Sequence, residues 1–295
     1  MRCGFVSLVG RPNVGKSTLL NSLLGMKLAI TSNVSGTTRN VIQGIYNDDD
    51  SQIIFVDTPG IHKPVNKLGN LMNKKTYSNT EDVDVIMLLI DATTGFGKGD
   101  QFILEKIKNS ELPIFLLLNK IDLVKDKSKL LKEIDEVRDI YNFKEIIPIS
   151  AKKNNNISDL IKTIKNYLPE MDSIYSEDEL TNVSTKFIMA EFVREKILEL
   201  THAEIPHTVT CYVENYEENS KSVHIQVLVV VDRDNVKKII IGKNGSMLKE
   251  IGTRARHDME AFLGKKVFLE TFVKTIKDWR NQEKYFSELG LEDEE

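Results

Sequence analysis

Eight residues near the start of the chain decide the fold of its first half: Gly10-Arg11-Pro12-Asn13-Val14-Gly15-Lys16-Ser17. They match the pattern G-x-x-x-x-G-K-[ST], which forms a phosphate-binding loop when it follows a strand and opens a helix. An apolar run, Phe5–Val9, precedes the loop, and a helical pattern, Lys16–Leu24, follows it. The glycines let main-chain N–H groups point at phosphate oxygens. We therefore expect Lys16 to contact the β- and γ-phosphates of a nucleotide and Ser17 to bind Mg²⁺.

A second motif, Asn119-Lys120-Ile121-Asp122, predicts the base, and it follows an apolar strand pattern at Ile114–Leu118. The carboxylate of Asp122 can accept hydrogen bonds from both N1–H and the exocyclic amine of guanine, whereas adenine offers neither donor there. We expect Asn119 and Lys120 to brace this loop and cover the base. A third segment, Ser150-Ala151-Lys152, follows the fifth strand pattern and would contact guanine through main-chain N–H groups. These motifs predict a guanine nucleotide.

Two further segments predict the magnesium site. Asp57-Thr58-Pro59-Gly60 follows the strand pattern Ile53–Val56, where a carboxylate would hold Mg²⁺ through water and the N–H of Gly60 would reach the γ-phosphate. Thr37 and Thr38 lie between the phosphate-binding loop and this segment, and one of them would complete the magnesium shell. We favour Thr38 and keep Thr37 as the alternative. The predicted metal ligands are Ser17, Thr38 and Asp57.

Hydrolysis of GTP requires a group that orients the attacking water, and the sequence offers no side chain of the usual kind for this role. Ile61 follows Gly60 where a glutamine would serve, and a histidine in such a loop, His62, is more often an exposed loop residue than a base. Asn13 either binds a monovalent cation near the β–γ bridge or caps the loop by hydrogen bonding. We assign catalysis to Lys16, Thr38, Gly60 and Asn13. The residues assigned to GTP binding are Gly10, Arg11, Pro12, Asn13, Val14, Gly15, Lys16, Ser17, Thr18, Asp57, Thr58, Pro59, Gly60, Asn119, Lys120, Asp122, Ser150, Ala151 and Lys152.

The order of strand and helix patterns predicts two domains. Residues 1–170 alternate apolar strands with helices, which is typical of an α/β P-loop GTPase domain with a mostly parallel sheet. A strand at Asn40–Tyr46 should pair with Gln52–Val56 in the antiparallel direction. Residues 171–184 are acidic and follow a Pro-Glu pair, so they read as a linker. Residues 185–280 form the second domain, and 281–295 form a charged tail.

The second domain has the pattern of an α+β module. A helix, Thr185–Leu200, precedes strands at Thr208–Tyr216 and Ser222–Val231, a short strand and Gly-x-x-Gly turn at Ile239–Gly245, a helix to about Phe262 and a strand at Lys266–Val273. A G-x-x-G turn beside an apolar segment is typical of a KH domain, which binds single-stranded nucleic acid. The residues assigned to RNA are Ile241, Gly242, Lys243, Asn244, Gly245, Lys249, Arg254 and Arg256. Ile241 and Ile251 could line the base groove, although for both we favour a position in the core.

Charge and composition support this division. The 295-residue chain has a formal charge of −4, yet Val236–Arg280 contains eleven Lys and Arg against five Asp and Glu. This excess suggests a polyanion-binding surface, with a solvated helix face as the alternative. We expect a cytoplasmic protein, because no apolar run could span a bilayer, no signal peptide is evident, and Cys3 and Cys211 read as reduced thiols.

Together the two domains resemble the Era GTPases of the TrmE–Era branch. The likeness runs along almost the whole chain, through the nucleotide motifs and through Phe192–Ile197, Ile240–Gly245, Ile251–Arg256 and Phe272–Gly290. It implies a type II KH domain that binds the 3′ end of 16S rRNA in maturation of the 30S ribosomal subunit, with GTP and GDP as ligands and no DNA. It also implies Mg²⁺, potassium-stimulated hydrolysis without a catalytic glutamine, and weak peripheral association with the inner face of the cell membrane. The chain departs from the family at Phe272, where tryptophan is usual, and at Ser35-Gly36.

Two other functions are compatible with parts of the sequence. The chain could be a GTPase switch that signals to a protein or membrane partner, with the second domain as a protein-binding module. It could also be a P-loop ATPase or small-molecule kinase, but the carboxylate of Asp122 argues against adenine. Binding to small-subunit RNA separates the first alternative from a role in ribosome assembly.

Overall fold

The computed structural model describes residues 1–32, 37–59, 82–201 and 205–282, together with Leu68. These residues form two compact units. The first comprises 1–29, 38–59 and 82–182, and the second comprises 30–32, 37, 68, 183–201 and 205–282. Among the described residues, no helix is long and apolar enough to cross a membrane.

The first unit is built on a six-stranded sheet. Its strands are β1 Arg2–Gly10, β2 Ile42–Asn47, β3 Ser51–Asp57, β4 Val85–Asp91, β5 Ile114–Asn119 and β6 Glu145–Pro148. They lie in the order β2-β3-β1-β4-β5-β6, and only the β2–β3 pair is antiparallel. The prediction of a mostly parallel α/β sheet with one antiparallel strand is therefore confirmed.

Burial explains why the central strands read as continuous apolar runs. The first six residues of β4 and all of β5 are buried, as expected of parallel strands that are covered on both faces. The helices of this unit are α1 Lys16–Leu24, α2 Lys98–Ile107, α3 Lys127–Ile140 and α4 Ile157–Lys165. Ile103 of α2 and Val137 of α3 join Leu88 and Leu116 in one core cluster. Since β1, β3, β4 and β5 are parallel, their carboxyl ends meet at one edge of the sheet, where ligands bind in folds of this type.

Residues 171–182 belong to the first unit. The N–H of Ile45 donates to the carbonyl of Leu180 at 2.9 Å, and the hydroxyl of Tyr175 donates to the Gln43 side chain at 2.8 Å. This stretch thus lies along the antiparallel edge of the sheet. The assignment of 171–184 as the linker stays a prediction.

The second unit is an α+β fold. Its elements are helix α5 Thr185–Leu200, strands β7 Val209–Glu218 and β8 Ser222–Val231, helices α6 Asp234–Ile241 and α7 Ser246–Leu263, and strand β9 Lys266–Thr275. The sheet order is β7-β8-β9, with β7 antiparallel and β9 parallel to β8. A parallel pair needs a crossover, which α6 and α7 supply.

The predicted short strand before the Gly-x-x-Gly turn is wrong. Ile239, Ile240 and Ile241 are the last residues of α6. Three adjacent β-branched residues favour a strand by propensity, but tertiary packing overrides that preference. Only Ile240 is fully buried, while Ile239 is 48% exposed, as expected when neighbouring residues point to different sides of a helix. The turn therefore joins two helices.

Candidate nucleotide-binding and nucleic-acid sites

The phosphate-binding loop lies between β1 and α1. Gly15 has a φ of 103°, and a Cβ there would lie 2.3 Å from Nδ2 of Asn119, so both conformation and space require glycine. Asn119 Nδ2 donates to the carbonyl of Val14 at 2.9 Å, and its Oδ1 accepts the N–H of Ala151 at 3.0 Å. The buried side chain of Asn119 therefore connects its own segment, the first predicted base-binding segment, to the phosphate loop and to the second such segment at Ala151.

Lys16 is buried within this loop. Its ammonium donates to the carbonyls of Gly10 at 3.0 Å and Arg11 at 3.2 Å. Burial lowers the pKa of Lys16 to about 8, and the nearby charge of Asp57 acts in the opposite direction. An anionic ligand in the loop would favour the protonated form further, because a neighbouring negative charge stabilises an ammonium group. The loop is thus suited to a phosphate.

A cluster of three oxygen-bearing side chains marks the predicted magnesium site. The hydroxyl of Ser17 donates to Oδ2 of Asp57 at 2.7 Å and lies 2.8 Å from Oγ1 of Thr38. Asp57 is fully buried, and its Oδ1 has no hydrogen-bond partner among the described residues. Burial raises the pKa of Asp57 to about 6, although Lys16 and Ser17 counteract the rise.

These oxygens fit Mg²⁺, which prefers oxygen ligands and is usually held by one or two protein groups, phosphates and water. A divalent cation would also offset the cost of keeping the Asp57 carboxylate charged in a buried site. The hydroxyl of Thr38 joins this cluster, and the assignment of Thr38 rather than Thr37 as a magnesium ligand stays a prediction.

The base-binding motif lies at the end of β5. The hydroxyl of Ser150 donates to Oδ1 of Asp122 at 2.5 Å, which orients the carboxylate expected to read guanine. Lys120 has a left-handed backbone with φ 67°, and its ammonium donates to the carbonyl of Asn13 at 2.7 Å. The structure therefore brings the second motif next to the phosphate loop. Lys152 is exposed beside them.

Two acidic residues of this region were missed by sequence reasoning. Asp91 accepts from Lys120 at 2.7 Å, and the fully buried Asp100 accepts from Nε of Arg11 at 2.8 Å. Asp91 ends β4 at the same edge of the sheet as Asp57, and that position could have identified it. Asp100 lies in the first turn of α2, and no sequence pattern connects it with the loop.

The other assigned residues have these positions. Pro12 within the loop and Thr18 directly after it are half-buried, and Pro59 is buried. The hydroxyl of Thr58 donates to the carbonyl of Leu8 at 2.8 Å. Gly60, assigned to the γ-phosphate, lies outside the described residues. Ile61 and His62 lie outside them as well.

The second unit contains a groove of about 350 Å³ between α7 and β9. The residues that line it are Gly245, Leu248, Lys249, Gly252, Thr253, Arg256, Leu269 and Thr271. The Gly242–Gly245 turn directly precedes α7. Gly242 has a φ of 72°, and a Cβ there would lie 2.8 Å from the main-chain nitrogen of Met247. Both the conformation and the space at this position therefore require glycine.

The groove includes only some of the residues assigned to RNA. Gly245, Lys249 and Arg256 line it. Arg254 is not among the lining residues and pairs instead with Glu250 at 2.7 Å on the exposed side of α7. Ile241 is half-buried and does not line the groove, whereas Lys243 and Asn244 are exposed on the turn.

Ile251 is fully buried and does not line the groove, which agrees with the favoured core interpretation.

Sequence analysis did not identify the groove residues that come from β9. Leu269 and Thr271 come from β9, and sequence spacing alone does not predict that this strand packs beside α7.

Comparison with known proteins matches both parts of the chain. Residues 5–120 match the model of a family described as 50S ribosome-binding GTPase, and residues 204–280 match a KH domain. A variant of Era from Aquifex aeolicus bound to GDP·AlF4− is 41% identical, with a TM-score of 0.95 and 99% of each chain covered. Era in complex with MgGDPNP and nucleotides 1506–1542 of 16S ribosomal RNA gives the same identity, coverage and TM-score.

The likeness extends through the nucleotide site, the glycine turn and the groove. A relative of this identity that matches along nearly the full length of both chains shows the family. The chain therefore belongs to the Era family, whose members are GTPases with a C-terminal KH domain.

Proposed function

We propose that this protein binds the 3′ end of 16S rRNA through its KH unit and acts in maturation of the 30S ribosomal subunit, with GTP hydrolysis as the timer. The observation that carries the proposal is the groove between α7 and β9, bordered by the Gly242–Gly245 turn. An Era relative with 41% identity was solved with a 16S rRNA segment and MgGDPNP bound together. Because that relative matches 99% of this chain, its complex supports GTP with Mg²⁺ and 16S rRNA as ligands here.

The chemistry of the groove favours single-stranded RNA. Lys249 and Arg256 supply positive charge for phosphates, and Leu248 and Leu269 supply apolar surface for bases. Thr253 and Thr271 also line the groove, and the hydroxyl of Thr253 donates to the carbonyl of Lys249 at 2.8 Å. A groove of about 350 Å³ suits unstacked nucleotides of a single strand. That DNA is not a ligand stays a prediction.

In the nucleotide site we propose that each residue of the chain has a separate task. Lys16 neutralises the β- and γ-phosphates, and Asp122 selects guanine. Ser17, Thr38 and Asp57 would hold Mg²⁺, which supplies positive charge against the phosphate oxygens as the bond to the leaving group breaks.

We also propose that potassium stimulates hydrolysis through Asn13, in place of a catalytic glutamine. Asn13 has a left-handed backbone with φ 65°, and its carbonyl is held by Lys120, so the residue has a fixed position on the loop. We expect GTP hydrolysis to be about tenfold faster in KCl than in NaCl of equal ionic strength, because a fitted cation adds charge near the β–γ bridge. Asn13→Ala should remove this difference. Equal rates in both salts would contradict the proposal.

One pair of substitutions tests the groove. Lys249→Ala should weaken binding of a 16S 3′-end oligonucleotide severalfold and lower its salt slope by about one, because one phosphate contact is lost. Arg254→Ala is the matched control, since Arg254 is on the same helix but outside the groove lining. It should have the smaller effect at every salt concentration, as measured by fluorescence anisotropy. A larger effect of Arg254→Ala would place the RNA on another face of α7.

The resemblance to Era proteins also implies weak peripheral membrane association. That implication stays a prediction for this chain. Flotation of the protein with anionic lipid vesicles, with and without GTP, tests it.

A further inference from the structure

Asp100 is a buried acid of the first unit that has no task in the function proposed above. It lies in the first turn of α2, and its side chain is fully buried. Its Oδ2 accepts the main-chain N–H of Gly97 at 2.9 Å and so caps the helix, while its Oδ1 accepts Nε of Arg11 at 2.8 Å. A helix cap needs only an acceptor, which uncharged side chains also supply. Since a buried charge is costly unless it is paired, the pairing with Arg11 explains why this acceptor is charged.

Arg11 is the second residue of the phosphate loop, and its side chain is held along its length by the segment that follows β4. Its stem packs against the first turn of α2, where a Cβ on Gly99 would lie 2.5 Å from Cδ of Arg11. Its Nη2 donates to the hydroxyl of Thr94 at 3.4 Å, in addition to the bond from Nε to Asp100. These contacts attach the phosphate loop to α2 within the first unit.

The main chain of Arg11 belongs to the part of the loop that holds Lys16. The carbonyls of Gly10 and Arg11 accept the ammonium of Lys16 at 3.0 Å and 3.2 Å. Two residues further along, the carbonyl of Asn13 accepts the ammonium of Lys120 at 2.7 Å. The loop is therefore attached to the rest of the unit on both sides of its midpoint, and the buried acid of α2 supplies the first attachment.

A phosphate loop needs such attachments because of its own dipoles. Several main-chain N–H groups point at one place, and they repel one another until an anion binds there. Contacts from outside the loop keep it in this shape, and a site that is ordered in advance loses less free energy on binding. Without the bond from Asp100, the nucleotide would have to order Arg11 and the carbonyl that holds Lys16. Once bound, its phosphates would hold the loop themselves, so the cost would fall on binding and not on hydrolysis.

We propose that Asp100 is a positioning residue for the phosphate loop. Through Arg11 it holds the loop and the Lys16 ammonium in the shape that receives the diphosphate part of a guanine nucleotide. The proposal rests on the function proposed above, in which Lys16 contacts the phosphates. Asp100 itself does not touch the nucleotide. Because GDP and GTP share the diphosphate, the loss of Asp100 affects both, with or without Mg²⁺.

The variant Asp100→Asn tests this role, because asparagine keeps an acceptor for Gly97 but turns a donor towards Arg11. We expect the dissociation constants of fluorescent GDP and of a fluorescent non-hydrolysable GTP analogue to rise about tenfold each, within the usual range of coupling between sites, in Mg²⁺ and in EDTA. The single-turnover rate of GTP hydrolysis by saturating enzyme should stay within about twofold of wild type. Unchanged affinity, a loss confined to the analogue, or a hydrolysis rate that falls more than affinity does would overturn the proposal.

The matched control is Asp48→Asn, which also removes the charge of a paired acid in the first unit. Asp48 pairs with Lys165 of α4 at 2.6 Å, in the turn before β3, whereas the nucleotide site lies where β3 ends. Both dissociation constants should stay within about twofold of wild type. An equal loss in Asp48→Asn would contradict a specific role for Asp100. If Asp100→Asn fails to fold by circular dichroism, Arg11→Gln/Asp100→Asn takes its place, because it removes both charges together, and the same tenfold loss is expected.

A double-mutant cycle tests whether Asp100 acts through Arg11. Arg11→Gln alone should weaken GDP binding about tenfold, and adding Asp100→Asn should weaken it less than about twofold further, because the two residues share one interaction. Full additivity would overturn the proposal.

Lys16→Ala separates a failure of the positioning role from a failure of the function on which it rests. If Lys16→Ala bound both nucleotides like wild type, the function proposed for Lys16 would be wrong, and the positioning role with it. If Lys16→Ala lost affinity while Asp100→Asn did not, only the role of Asp100 would be wrong.

Discussion

Asp122→Asn is expected to lower the affinity for GTP about a thousandfold and to raise the affinity for xanthosine triphosphate. The carboxylate that Ser150 orients would accept two hydrogen bonds from guanine, each worth roughly 2 kcal/mol as a bond to a charged group. Asparagine presents a donor where guanine also has one, and the oxygen of xanthine can accept from it. Competition of both triphosphates against fluorescent GDP measures the change.

A nearby carboxylate provides the control. Asp126 caps α3 by accepting the N–H of Ser128 at 2.9 Å, and Asp126→Asn keeps a good cap while removing the same charge. This variant should keep the wild-type preference for GTP. An Asp122→Asn protein that still prefers GTP over xanthosine triphosphate would show that Asp122 does not read the base.

The second large effect is expected in the glycine turn. Replacing Lys243 and Asn244 by aspartate should weaken binding of a 16S 3′-end oligonucleotide at least a hundredfold, because two carboxylates would face the RNA backbone where the main chain approaches it. Both positions are exposed, and Asn244 has φ 54°, a conformation that aspartate tolerates. GTP affinity should stay within about twofold of wild type, since the turn belongs to the other unit.

A second double variant, in the turn between β7 and β8, serves as the control for the change in net charge. Ser220→Asp/Lys221→Asp changes the net charge by the same amount at two exposed positions of the same unit. It should weaken RNA binding only slightly, by long-range repulsion that vanishes at high salt. Equal losses in both double variants would mean that net charge, and not the turn, governs RNA binding.

The sequence predicted the first unit well because its information is local. A few adjacent residues suffice to identify the phosphate loop, the motif after β5 and the central strands. Helix α1 begins and ends where the pattern predicted. Parallel topology then follows from alternating strands and helices, and it brings Asp57 and Asn119 to one edge of the sheet.

What could not be predicted depends on contacts between distant residues. The run Ile239–Ile241 has the composition of a strand, and only packing of Ile240 decides for a helix. Asp100 pairs with Arg11, and Leu269 lines the groove, although both contacts join residues that are far apart in sequence. The spacing of residues in the sequence does not predict such contacts.

The most direct measurement is the dissociation constant of the 16S 3′-end oligonucleotide for wild-type protein with GDP and with a non-hydrolysable GTP analogue. If the nucleotide site times RNA binding, the analogue should tighten RNA binding by at least about fivefold, and the RNA should tighten analogue binding by the same factor, as linkage requires. Equal RNA affinity in both nucleotide states would contradict a GTPase that controls its hold on ribosomal RNA.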